Sequence, residues 1–163
     1  MIRTMMAMLL AAAAIPAFAQ SVPAANYSDI WYNPSESGWG VTFTQHTDNQ
    51  AFAVWYTYDP REPDPSAPGN FKPLWIVMSG GSWTSPTSLT GDAYVTKGTP
   101  FAASWNPNAL GVTRVGTFTF SLSSTTVGTF TYNISPPSGL ASTDPAFNLP
   151  AFSGTKNIQR QSF

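Results

Sequence analysis

The chain has no cysteine, a single histidine (His46) and few charges, with Asp, Glu, Lys and Arg making up 9% of its 163 residues. Soluble domains ordinarily carry about a quarter. Without cysteine there is no disulfide framework, thiolate zinc site, iron–sulfur ligation or cysteine nucleophile. One histidine among scattered carboxylates gives no metal site to expect. Seven Lys plus Arg against eight Asp plus Glu leave a net charge of −1, which excludes the basic footprint of a nucleic-acid binder. No glycine-rich loop leads into a helix to hold phosphate. The nucleophile-elbow pattern G-x-S-x-G is also missing, since Ser79 and Ser82 flank Gly80-Gly81 without forming it. No cofactor or metal is expected.

What is present is apolar and aromatic: 42% hydrophobic residues, 14% aromatic. That is enough for a packed core. The first nineteen residues read as a secretory signal. Arg3 supplies the positive start, Met5 to Ile15 a short apolar stretch, and Ala17-Phe18-Ala19 a small-x-small cleavage site. One domain, residues 20–163, is then expected in the periplasm or outside the cell. No later run is long enough for a membrane-spanning helix.

Beyond residue 20, alternation of period two replaces helical periodicity. Eight strands are predicted, near Asp29–Tyr32, Trp39–His46, Ala51–Tyr58, Leu74–Ser79, Ser88–Thr96, Thr113–Leu122, Val127–Ile134 and Thr155–Ser162. The clearest signal is an internal echo. Val115-Gly116-Thr117-Phe118-Thr119-Phe120 returns twelve residues later as Val127-Gly128-Thr129-Phe130-Thr131-Tyr132. Each copy puts aromatics on one face and threonines on the other, as in a half-buried antiparallel pair. Short links suggest a meander, and closing it removes two exposed edges. The expected fold is therefore all-β, an eight-stranded up-and-down barrel, with a two-layer sandwich as the alternative. Three irregular stretches interrupt it: Asp59–Pro73, Pro100–Gly111 and Ser135–Gly154. The last retains Phe147, Leu149 and Phe152, which suggests that it folds back over the body. Phe163 at the C-terminus raises an outer-membrane barrel, but Gln161, Gln159 and Asn157, counted back by twos, are unfit for lipid. Insertion of the mature chain into a membrane is not expected.

Trp31-Tyr32-Asn33-Pro34-Ser35-Glu36-Ser37-Gly38-Trp39-Gly40 and the later Trp75-Ile76-Val77-Met78-Ser79-Gly80-Gly81 carry a resemblance. The chain resembles a family of small exported bacterial proteins, largely uncharacterised, that share W-x-N-P-x-E-S-G-W-G and W-x-x-M-S-G-G. The likeness implies an exported all-β module and carries no activity with it.

The candidate site is built from tryptophans and one carboxylate. Trp55 falls on the β face opposite Phe52, Val54, Tyr56 and Tyr58. Trp75 falls opposite Leu74, Ile76 and Met78. Paired strands would then bring Trp55 and Trp75 together away from the aliphatic core, where either the chain's own loops or a ligand must cover them. Trp31 and Trp39 border the same region. Glu36, in a loop between them, reads as a polar contact, as a turn-stabilising acceptor, or as a general acid with a raised pKa. These features point to a non-catalytic module that binds a carbohydrate or small apolar ligand through Trp55, Trp75, Glu36, Trp31 and Trp39. A structural or adhesive envelope protein is one alternative, and a hydrolase using Glu36 another.

Overall fold

The computed structural model describes residues 21–46, 49–61 and 71–163; the expected leader, Gln20 and Asp48 lie outside these. The eight strands are β1 (Asp29–Tyr32), β2 (Gly40–Gln45), β3 (Gln50–Tyr58), β4 (Pro73–Ser85), β5 (Ser88–Lys97), β6 (Gly111–Leu122), β7 (Val127–Ile134) and β8 (Phe152–Arg160). Each pairs antiparallel with its neighbour in sequence, and β8 returns to β1, closing a barrel. The sandwich is thereby ruled out. Closure brings together the two edge strands that an open meander would expose.

Strand limits differ from the sequence reading mainly in β4 and β8. β4 runs six residues past Ser79 because Gly80, at φ +151°, forms a bulge instead of a terminus. Pairing with β5 slips between Met78 and Ser82 as a result. β8 begins three residues earlier than expected, at Phe152, which caps the core instead of lying in a loop.

The echoed strands pair as the alternation requires: Phe118 lies opposite Tyr132 and Phe120 opposite Phe130. Their rings fill the interior, Phe118–Phe130 and Phe120–Phe130 both at 5.0 Å. Outside, Thr90, Thr119, Thr131 and Thr155 make one register row across β5 to β8. Hydroxyl bonds of 3.0 and 2.8 Å join the first and last pairs of this row.

The alternating strand directions collect the short links (β2–β3, β4–β5, β6–β7) at one end and the four long connections at the other. The arm of residues 21–28 lies across the short-link end. Ala24 N–H donates to Pro86 O at 2.7 Å, and the Tyr27 ring lies 5.6 Å from buried Trp83. At the long-loop end, residues 135–151 fold over the barrel as expected, burying Ala146 and Leu149. Three contacts fasten this cover. Thr113 Oγ1 donates to Asp144 at 2.8 Å, Arg61 Nη1 donates to Pro145 O and Phe147 O at 2.8 and 3.2 Å, and Lys97 Nζ donates to Thr143 O.

Candidate ligand-binding site

The barrel is least complete between β8 and β1. Only Trp31 with Arg160 and Tyr32 with Gln159 are paired there, so residues 152–158 of β8 have no β1 partner. The cause lies in Asn33-Pro34. Proline has no N–H for a ladder bond and sets φ for a turn. The chain turns at once, with Glu36 N–H donating to Asn33 O at 3.0 Å and Ser35 N–H to Asn33 Oδ1 at 2.9 Å. The loop then crosses the gap. Glu36 meets Lys156, an inward-facing residue of β8, with Nζ 2.8 Å from Oε2 and 3.0 Å from Oε1. Trp39 Nε1 also donates to Glu36 Oε2, at 3.3 Å.

Behind this ion pair is a cleft of about 230 Å³ lined by Glu36, Trp39, Trp55, Thr57, Phe130, Tyr132 and Lys156. The aromatic wall is ordered: the Trp55 ring sits 4.7 Å from Tyr132 and 5.4 Å from Phe130. Gly154 opposite Tyr132 keeps that wall in place, because a Cβ there would come within 2.6 Å of the Tyr132 hydroxyl. The indole N–H of Trp55 is buried and has no hydrogen-bond partner. Leaving such a donor unsatisfied costs about 1–3 kcal/mol, and it belongs to a residue that lines the cleft. The other orphan indole, Trp83, lies at the opposite end under Tyr27.

Of the five residues expected at the site, Glu36, Trp39 and Trp55 come together and two do not. Trp31 is 1% exposed, in the core, with its Nε1 donating to Tyr27 O at 3.0 Å. Trp75 is 52% exposed on the outer wall. The expected Trp55–Trp75 face does not exist, since Trp55 pairs with Ile76 and Trp75 with Tyr56, on opposite faces. Packing explains the reversal. The inner face of β3 is Ala51, Ala53, Trp55 and Thr57, while Phe52, Tyr56 and Tyr58 are exposed. Phe43, Phe118, Phe120 and Phe130 crowd the interior around Trp55, so the β3 positions beside it, Ala51 and Ala53, must be small to keep interior density.

Four cleft residues, Thr57, Phe130, Tyr132 and Lys156, are not among those expected from the sequence. Tyr132 was assigned correctly to the aromatic face. Lys156 gave no signal, because a lysine within a polar stretch reads as solvated surface. The raised-pKa expectation for Glu36 also fails. A hydrogen bond from the Lys156 ammonium holds its carboxyl below the usual range, so it is an anion at neutral pH and cannot serve as a general acid there. His46 follows β2 at the short-link end, its N–H donating to Gln50 O at 2.8 Å. Among the described residues, no group of three or more His, Asp or Glu is arranged to hold a metal.

No protein-family model, curated protein or solved structure matches the chain.

Proposed function

We propose that the chain is an exported, non-catalytic binding module that takes a small polar ring, a carbohydrate unit, in the cleft between β8 and the 33–39 loop. The observation that carries this reading is a cleft walled on one side by aromatic side chains and on the other by the Glu36–Lys156 ion pair. Sugar rings present apolar C–H faces and hydroxyl edges. Trp39 and Tyr132 offer surface for the first, and Glu36 and Lys156 offer an acceptor and a donor for the second. A purely apolar ligand fits less well, because it would desolvate the Glu36–Lys156 pair without replacing its hydrogen bonds. The volume is below that of a drug-sized site, which restricts the buried portion to about one ring.

The test is titration with a panel of mono- and oligosaccharides, followed by amide and indole N–H chemical shifts. At least one sugar should move the Trp39, Trp55 and Lys156 resonances, and Lys156→Met should weaken binding about tenfold with an unchanged circular dichroism spectrum. If no sugar shifts these resonances, or if Lys156→Met binds as the wild type does, the assignment is wrong.

A further inference from the structure

An exposed apolar feature lies away from the cleft, in the connection between β5 and β6. Residues 98–110 (Gly-Thr-Pro-Phe-Ala-Ala-Ser-Trp-Asn-Pro-Asn-Ala-Leu) include no charged side chain. Phe101 is fully exposed, Trp105 70% and Leu110 57%.

The loop is nonetheless well tied within itself. Thr99 Oγ1 joins the two legs, accepting from Asn106 N–H at 2.9 Å and donating to Asn106 O at 3.1 Å. The tip between them reads Pro-Phe-Ala-Ala-Ser-Trp, and Ala103 N–H donates back to Pro100 O at 2.9 Å. Past the neck, Asn106 caps a 3₁₀ turn over Pro107–Ala109, its Oδ1 accepting from Asn108 N–H at 3.0 Å. Pro100 and Pro107 have no N–H to satisfy.

From these features we infer that the 100–105 tip docks reversibly on a lipid surface, with Phe101 and Trp105 at the headgroup–acyl boundary. Two observations favour lipid over a protein partner. First, a charge-free tip incurs no ionic desolvation on leaving water. Second, the apolar area is small and projecting. Phe and Trp offer about 150–250 Å² each, well short of the roughly 800 Å² per partner of a stable protein interface, whereas interfacial anchoring uses a few such side chains. This is contact of a loop with the membrane surface, distinct from insertion of the strands. With a net charge of −1 and no basic cluster on the loop, zwitterionic lipid is sufficient. The inference is independent of the carbohydrate reading.

Co-sedimentation of the full chain with phosphatidylcholine vesicles tests it, comparing wild type with Phe101→Ser/Trp105→Ser. Both positions are exposed, so thermal unfolding should be the same in the two proteins. Each substitution should lower the partition coefficient about tenfold. Adding vesicles should blue-shift tryptophan emission in the wild type and leave Trp105→Phe unshifted. Equal partition of wild type and the double variant overturns the inference, as does failure of the wild type to bind. Concentration-dependent self-association abolished by the double variant, without vesicle binding, would make a second copy the occupant and likewise overturn it.

Discussion

At the scale of single residues, Trp55 does two things that separate by substitution. Its ring is core, in edge contact with Phe118 and Phe130, and its N–H is a buried donor without a partner, on a residue that lines the cleft. Trp55→Ala should destabilise the domain by about 3–5 kcal/mol, the usual range for a large aromatic removed from a core. Trp55→Phe removes the orphan donor and leaves much of the packing, so relief of about 1–3 kcal/mol offsets the smaller void. Its unfolding free energy in urea should lie within about 1 kcal/mol of wild type. If the N–H bonds to the ligand, Trp55→Phe should weaken sugar binding about threefold to tenfold at that unchanged stability. Equal destabilisation by Phe and Ala would show the N–H to be satisfied by solvent.

Among elements, β6 contains the tightest constraint. Gly116 has φ +154°, and a Cβ built there would sit 1.9 Å from the backbone oxygen of Asn133 on β7. That neighbour is main chain and cannot swing aside. Gly116→Ala should therefore cost more than about 3 kcal/mol, measured as a shift in urea midpoint without a change in slope. A near-neutral result would show that β6 and β7 can separate locally at little cost. The echo containing Gly116 was also the most legible part of the sequence, because a strict Thr–aromatic alternation has one buried face under any pairing. β3 was harder to read. Its more hydrophobic face, Phe52, Val54, Tyr56 and Tyr58, points outward, and only the bulk of Phe118, Phe120 and Phe130 across the barrel makes Ala51 and Ala53 the inner pair. Alternation gives the period of a strand but cannot assign its faces when both are apolar. Lys156 was hidden for a related reason. Its role depends on how far β1 extends alongside β8, and Pro34 settles that from the other end of the chain.

Over the whole molecule, closure depends on a seam where side-chain ion pairs supplement two backbone residue pairs. At one end of the seam, Arg160 Nε lies 2.7 Å from Asp29 Oδ2, and the same guanidinium reaches Ser28 O at 2.7 Å and Thr125 O at 3.3 Å. At the other end is the Glu36–Lys156 pair. Hydrogen bonds from Arg160 and Lys156 lower the pKa of Asp29 and Glu36 respectively. Arg114 does the same for Asp92 between β5 and β6. Burial pushes the Asp59 carboxyl up, but bonds from Arg61 outweigh it and leave that pKa lowered as well. Among the described residues, four acidic side chains thus bind protons less readily folded than unfolded. Their stabilisation is complete above the unfolded carboxylate range, near pH 4, and is lost as pH falls through the lowered folded values. The melting temperature should hold nearly level from neutral pH to about pH 5 and then drop. Because two of the four groups bridge the seam, amide hydrogen-exchange protection in β1 should fall before that in β6 and β7, where rings and a full ladder hold the two strands to each other. Loss of protection in all strands together as pH is lowered would mean that the seam is held by its core residue, Trp31, and not by its ion pairs.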